Sequence, residues 1–293
     1  MKYAWIEANR DSFPIRTMCQ VLEVSRSGFY KSLQASPSPR ARRSLAIKDA
    51  VREVYEQSGG IYGSYKIAEK LQNDDRLETA CRNTVAKAMQ ELGLKSRACS
   101  KFRPATTVRD RDHKPAPNVI DQDFTADAPN QKWVADITYL PTIAGWVYLA
   151  VVIDLFSRKV VGWSMSDRLT TPLVTKAMKS AIESRSPPTQ GLIHHSDRGC
   201  QYTSQAFQEI LRTLNITCSM SRTGCCYDNA VAERFFWSLK HEWTKFERFE
   251  NLEEARWSVF KYIETFYNSE RIHQALNYQT PNQFEKIHAA TAA

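Results

Sequence analysis

Apolar positions change their spacing along the chain. In residues 1–40 the interval is helical: Ile15, Met18, Cys19 and Leu22 fall at i, i+3, i+4 and i+7. The stretch "EVSRSGFYKSL" then offers Ser25 as the N-cap of a short helix bearing Arg26, Ser27, Tyr30 and Lys31. Helix, tight turn and basic helix is the layout of a helix-turn-helix that reads DNA. "SPSPRARR", Ser36–Arg43, has two prolines and a basic cluster and is expected to be a linker. A second small helical unit follows over 44–97. Ile47, Val51, Val54 and Tyr55 mark one helix, closed by Gly59-Gly60. Val85, Ala88, Met89 and Leu92 mark another, closed by Gly93, and "YGSYKIAEKL" supplies a third between them. Ser100–Asn118 is charged, proline-bearing and aperiodic, an expected interdomain linker.

The texture then becomes strand-like. "QKWVADITYL", "WVYLAVVIDL" and "KVVGWSMSD" predict three strands in a meander. Thr171-Pro172 predicts an N-cap with proline at the first helical position, opening a helix over Leu173–Ser184. "GLIHHSD" predicts a short buried strand ending in Asp197, "SQAFQEILRTL" a helix, and "NITCSMS" another short strand. "CCYDNAVAERFFWSLKHE" predicts the next helix, with Asp228 or Asn229 as its cap. An amphipathic helix is expected over 252–267, and the last dozen residues are expected to be loose. Three strands followed by alternating helices and strands is a mixed α/β pattern.

Charge adds a direction to this layout. The 293 residues carry a net +8. Residues 1–118 hold 22 basic and 13 acidic side chains, and residues 119–293 hold 18 and 19, so the whole excess lies ahead of the α/β part and suggests a polyanion partner there. The seven cysteines, Cys19, Cys81, Cys99, Cys200, Cys218, Cys225 and Cys226, are odd in number and form no C-x-x-C pair. That points to free thiols in a reducing cytosol rather than to a disulfide framework or a zinc ribbon. "MKYAWIEANRD" lacks the apolar core of a signal peptide, and the longest apolar run, Trp146–Ile153, is strand length; no membrane partner is expected.

Three acids stand out by position. Asp136 lies within the first strand, Asp197 at the end of the fourth, and Glu233 on the helix after the fifth, each able to reach the same end of a sheet. Converging carboxylates repel and raise one another's pKa. A hard divalent cation such as Mg²⁺, or Mn²⁺, removes that repulsion. Two such ions, roughly 4 Å apart, activate an attacking oxygen and stabilise a leaving oxygen on phosphate. On the Glu233 helix, Phe236, Trp237 and Lys240 follow at three, four and seven residues and share its face. The two aromatics are expected to pin the helix to the sheet. Lys240, two turns on, is expected to meet DNA flanking a scissile phosphate.

"WVADITYLP", "HSDRGCQY" and "DNAVAERFFWSLKHE", with 35 residues between Asp197 and Glu233, resemble the D-D-35-E signature of retroviral-integrase-like transposases. The likeness is to the OrfB-type catalytic proteins of insertion sequence family three. "FYNSERIHQALNYQTPNQF" is similar to that family's C-terminal motif, and "SRSGFY" and "YGSYKI" to its helix-turn-helix regions. The resemblance implies a ribonuclease-H-like α/β core preceded by small all-α units. Its domains would be 1–40 and 41–99 for the helical regions, 100–125 for the linker, 126–246 for the catalytic core and 247–293 for a helical extension. It implies Asp136, Asp197 and Glu233 as catalytic ligands of two metal ions, with Lys240 as the basic residue after the glutamate. The implied reaction frees a 3′-OH at the element end by water attack and joins that hydroxyl to a second phosphodiester. The implied partners are terminal inverted repeats, target DNA, further copies of the chain and an upstream-frame protein, in a bacterial cytoplasm at the nucleoid. Family members often carry a polar residue where Cys225 stands. The rivals are a ribonuclease-H-type nuclease without strand transfer and a catalytically inactive DNA-binding regulator.

Other side chains are weighed beside these. His194 and His195 are adjacent strand residues, so one must point away from any shared site; a structural or supporting role is expected. Asp154 is either a further ligand or a turn residue, the latter favoured because Asp caps turns through its own backbone. Arg158 either binds phosphate or is solvated. Ser196 has no compelling nucleophile context.

Overall fold

The computed structural model describes residues 2–34, 38–72, 80–97, 116–187, 191–222 and 226–292. Three short helices open the chain: α1 (Lys2–Ala8), α2 (Ile15–Val21) and α3 (Arg26–Gln34). They close on Ile6, Met18, Cys19 and Phe29, so the periodic positions of α2 do form its inner face. The Ser25 hydroxyl accepts from the Gly28 amide at 3.0 Å, the cap that starts α3. The second unit comprises α4 (Pro39–Gln57), α5 (Ser64–Gln72) and α6 (Arg82–Glu91). Here the expected linker over 36–43 is corrected. Ser38 caps α4 by accepting from Ala41 N at 3.2 Å, and Pro39 takes the first helical position, where its missing N–H costs nothing. The basic cluster Arg40, Arg42 and Arg43 is therefore helical. Of the expected linker over 100–118, residues 100–115 lie outside the described part. Residues 116–120 pack on the α/β core, with Ile120 buried and Val119 N donating to Ser219 Oγ at 2.9 Å.

The α/β part is one five-stranded sheet: β1 (Lys132–Thr142), β2 (Gly145–Asp154), β3 (Val160–Ser166), β4 (Ile193–Ser196) and β5 (Thr217–Met220). Its order is β3-β2-β1-β4-β5. The first three strands form the expected antiparallel meander; β4 and β5 run parallel to β1. Parallel pairing needs a crossover, supplied by α7 (Thr171–Arg185) and by α8 (Cys200–Thr203) with α9 (Gln205–Thr213). This mixed sheet, flanked by helices on both faces, is the ribonuclease-H-like arrangement. The cap of α7 is Thr170, one residue earlier than expected, which makes Pro172 the second helical residue.

Alternation along β1 divides the core. Trp133 and Ala135 face α7 and α9 together with Ala150, Val152, Leu173, Ala177 and Phe207. Val134 and Leu140 face the other side with Val151 and Ile153, against α10 (Ala230–Ser238) and α11 (Leu252–Phe260). Gly162 on β3 is required by the first interface: a Cβ there would stand 2.4 Å from Ala177 O and 2.5 Å from Ala181 N, both backbone atoms of α7.

Two turns of π-helix follow the helices of the second face, Leu239–Trp243 after α10 and Lys261–Tyr267 after α11. The last residues are not loose, as was expected: Pro281–Ala292 forms α12. Phe284 and His288 pack on Phe156, and Glu285 pairs with Arg185 at 2.8 Å, which supplies tertiary contacts that the end of the chain lacks locally. The second helical unit is docked on the core. Tyr62 Oη donates to Glu270 O at 3.1 Å and accepts from Ile272 N at 3.2 Å, within an apolar cluster shared by both parts.

Candidate active site

The site begins with a register. Val134 of β1 pairs with His195 of β4 in parallel. Asp136 stands two residues beyond Val134 on β1, and Asp197 two residues beyond His195, just past the end of β4. β4 ends at Ser196, and the chain turns away there. Asp197 thus lies at the carboxyl end of β4, where open α/β sheets place their ligands, and Asp136 lies midway along the neighbouring β1. The Gly199 amide holds the turn by donating to Asp197 Oδ1 at 3.0 Å.

Electrostatics agree with the register. Burial, then the neighbouring Asp197 and more weakly Glu233, push Asp136 well above the usual carboxylate range, against the Ile137 amide that donates to its Oδ1 at 2.8 Å. Burial raises Asp197 as well, opposed by the Gly199 amide. Burial also raises Glu233, the most exposed of the three, which approaches from the first turn of α10. Among the described residues, no three His, Cys, Asp or Glu side chains are gathered closely enough to hold an ion as they stand. The donor set nevertheless fits a hard divalent cation. It consists of carboxylate oxygens that repel one another, with Lys240 the single cation among the groups acting on Asp136.

Helix α10 is pinned by Phe235 and Phe236, both buried. This corrects one expected anchor: Trp237 is half-buried, stacks on His241 with ring centres 4.5 Å apart and lies under the Arg234 guanidinium. The cap of α10 falls on Asn229, one of the two expected residues. Asn229 holds the cap position without a side-chain cap bond, and its Nδ2 donates instead to Ala135 O at 3.2 Å. Asp228 is buried and accepts from Arg222 N at 2.7 Å and Asn118 Nδ2 at 3.0 Å. Lys240 lies within the π-helical turn; its ammonium sits 4.7 Å from the centre of the Tyr139 ring. Burial lowers its pKa, and Asp136 opposes that shift. Lys240 is therefore close to the aspartate pair, not only further along the helix axis.

The remaining candidates are spread apart. Arg26, Ser27, Tyr30 and Lys31 are all exposed on α3, away from the carboxylates in the small first unit. Arg158 turns inward: its Nη2 donates to Phe124 O at 3.1 Å, and it is neither solvated nor among the carboxylates. Asp154 is the turn residue it was expected to be. It accepts from Phe156 N and Asn130 N, each at 2.8 Å, and pairs with Arg185. His195 bonds Ser219 Oγ at 2.8 Å and Ser221 Oγ at 3.1 Å, and burial brings its pKa down to about 4. His194 points to the opposite face, against Phe207 and Tyr202. Ser196 is buried, with its hydroxyl donated to Asp197 O at 3.1 Å. Sequence reasoning missed Tyr202 and Asn229. Both lie within the quoted motifs, yet their residue types alone do not say that Tyr202 would be buried against His194 and Phe207, or that Asn229 would reach Ala135 O, one residue before Asp136.

Residues 126–226 match the integrase core domain family, residues 214–281 a second integrase core domain family, and residues 42–102 an HTH-like domain family. The transposase InsF for insertion sequence IS3A of Escherichia coli (strain K12) is 41% identical over 292 residues, covering 99% of this chain and 100% of that protein. The insertion element IS600 uncharacterized 31 kDa protein of Shigella sonnei is 40% identical over 276 residues, covering 94% of this chain and 100% of that protein. Among solved structures, the HTLV-2 integrase catalytic core domain in complex with magnesium (trimeric form) is similar with a TM-score of 0.40 at 20% identity, over 55% of this chain and 99% of that one. A simian T-cell lymphotropic virus intasome in complex with PP2A regulatory subunit B56 gamma is similar with a TM-score of 0.44 at 16% identity, over 80% of this chain and 74% of that one.

Proposed function

From the premise that this chain belongs to the transposase family of insertion sequence IS3, we propose that it cleaves DNA at the 3′ ends of its element and transfers those ends to target DNA. The observation that supports the reading is the pairing of Val134 with His195, two residues before Asp136 and Asp197, together with the raised pKa of Asp136, Asp197 and Glu233.

In this reading Asp136, Asp197 and Glu233 hold Mg²⁺ or Mn²⁺, one ion or two. Bound there, such a cation supplies Lewis-acid polarisation of the scissile phosphodiester and neutralises the carboxylates. The protein supplies position. β1 would carry one ligand, the turn just after β4 the second and α10 the third. Lys240 contributes positive charge next to Asp136 for a DNA phosphate. Water attacks in line at the element end, and the freed 3′-hydroxyl then attacks a target phosphodiester. No protein nucleophile is needed, consistent with the internal bond of the Ser196 hydroxyl.

The exposed Arg26, Ser27, Tyr30 and Lys31 on α3 would bind element DNA, as would the second helical unit. Several copies of the chain would assemble on paired ends, with an upstream-frame protein as fusion or partner, in the cytoplasm at the nucleoid. Among the described residues no helix is long and apolar enough to cross a membrane.

The test is substitution at each carboxylate. Asp136→Asn, Asp197→Asn and Glu233→Gln should each abolish cleavage and joining of element-end DNA while circular dichroism and melting stay native. The losses should be non-additive, because the ligands act as a unit. Near wild-type rates in any single variant would remove that residue from the site. Cleavage without joined product would reduce the activity to a nuclease.

A further inference from the structure

The hairpin that joins β1 to β2 carries large apolar side chains in the open: Trp146 is 55% exposed and Ile143 60% exposed. A single exposed apolar residue needs no explanation. Trp146 is not alone, however. It meets Tyr139 edge-on with ring centres 4.9 Å apart, and the Lys240 ammonium sits 4.7 Å from the centre of that same Tyr139 ring. The turn beside it is fixed on both sides. Thr142 Oγ1 donates to Gly145 O at 2.7 Å, Ile143 N to Phe249 O at 2.9 Å and Ala144 N to Glu250 O at 3.0 Å.

The position of this aromatic pair follows from the register. Trp146 lies opposite Pro141, five residues beyond Asp136 on β1. At about 3.3 Å per residue that is roughly 16 Å from Asp136 along the strand. Lys240 stands seven residues beyond Glu233, and its contact with Tyr139 means that the Glu233 helix and the Asp136 strand lead away from the acids to one place.

We propose that Trp146 is a base-stacking site for the DNA that flanks the scissile phosphate, with the Lys240 ammonium beside it for the phosphate of the stacked nucleotide. The occupant is a nucleotide because the charge seated on the aromatic pair is a cation, the complement of a phosphate. Every base has a π-face, so the site accepts any of the four. At about 3.4 Å per nucleotide along one strand, the stacked base lies about five nucleotides from the scissile phosphate. A platform held by backbone bonds is ordered before the DNA arrives, which lowers the cost of binding. The inference rests on the proposed reading of the three carboxylates and extends it to the DNA beyond them.

The test is photocrosslinking of the full chain to element-end DNA, without divalent metal so that the DNA stays intact. The DNA carries 5-iododeoxyuridine at one position at a time on each side of the cleavage point; on irradiation this base joins to an aromatic ring stacked on it. A crosslink to Trp146, located by peptide mass spectrometry, is expected about five nucleotides from the cleavage point. Trp146→Phe keeps an aromatic face and should still crosslink. Trp146→Leu keeps apolar bulk beside Tyr139 but has no such face; it should lose the crosslink and bind the DNA about fivefold or more weakly. Crosslinks elsewhere with none at Trp146 in the wild type overturn the proposal, and this outcome does not depend on how well either variant folds. Wild-type DNA affinity in a folded Trp146→Leu protein overturns it as well. If that variant also loses an oligomer seen without DNA, the patch belongs to a second copy of the chain. Normal cleavage by the carboxylate variants would fail the reading of the acids themselves, a result separable from the crosslink.

Discussion

The Lys240 ammonium stands 4.7 Å from the centre of the Tyr139 ring, on the strand that also carries Asp136. Tyr139 in turn meets Trp146 edge-on, with ring centres 4.9 Å apart. The lysine thus bridges from the helix of Glu233 to the strand of Asp136. The π-helical turn is what brings it there, since such a turn rotates the residues that follow relative to a regular helix.

Lys240→Ala should slow cleavage and joining at least tenfold. The loss of the ring contact should cost only about 0.5–1 kcal/mol, the range for a partly exposed cation over an aromatic face. Lys240→Arg should retain most of the rate, because a phosphate contact needs charge more than shape. Single-turnover cleavage and thermal melting of both variants decide the point. A rate for Lys240→Ala equal to wild type would return the lysine to a structural role.

The helix of Glu233 is tied to the end of the chain by a buried ion pair. Arg271 donates to both carboxylate oxygens of Glu242, at 2.6 and 2.7 Å, and to Ser238 Oγ at 3.1 Å. Burial alone would raise the Glu242 pKa, but Arg271 more than offsets this and leaves it below the usual range. Arg271→Met strands a buried carboxylate and should destabilise the protein by about 3–5 kcal/mol. Arg271→Met with Glu242→Leu should cost less than the two single changes added together. Denaturant titration of the four proteins measures this coupling, and strict additivity would contradict it.

His194 makes stability depend on pH. Burial holds its pKa down to about 3, below the ordinary 6.5, and neither ring nitrogen has a partner. The sign follows from linkage: as pH falls, the unfolded chain takes up the proton first. The stability is therefore complete above about pH 6.5 and is lost as pH falls towards 3, at up to about 1.4 kcal/mol per pH unit. His194→Phe keeps an aromatic ring beside Tyr202 and Phe207 but carries no titrating group. Its stability relative to wild type should rise between pH 7 and pH 5. Parallel stability–pH curves for the two proteins would show that His194 carries none of the acid sensitivity.

The sequence by itself determined most of the elements. Periods of two and of 3.6 are properties of neighbouring residues, so the meander, the crossover helices and the face of α2 could be read from Ile15, Met18, Cys19 and Leu22 or from the run Trp146–Ile153. The order and spacing of Asp136, Asp197 and Glu233 were equally visible. Misreadings fell where a distant contact overrides local composition. The Ser36–Arg43 stretch looked like a linker, but Ser38 and Pro39 start a helix whose apolar face packs on α5 and α6. The final residues looked loose until Glu285 met Arg185, 100 positions away in sequence. Only the tertiary structure decided that Val134 pairs with His195, two residues before Asp136 and Asp197. It alone decided that Asn229 reaches Ala135 rather than capping its own helix, that Trp237 stacks on His241 and that the Tyr202 hydroxyl is left unpaired. Each is a pairing between residues placed by different elements or by packing. No local pattern specifies such a pairing, because its free energy depends on which surfaces the folded chain brings together.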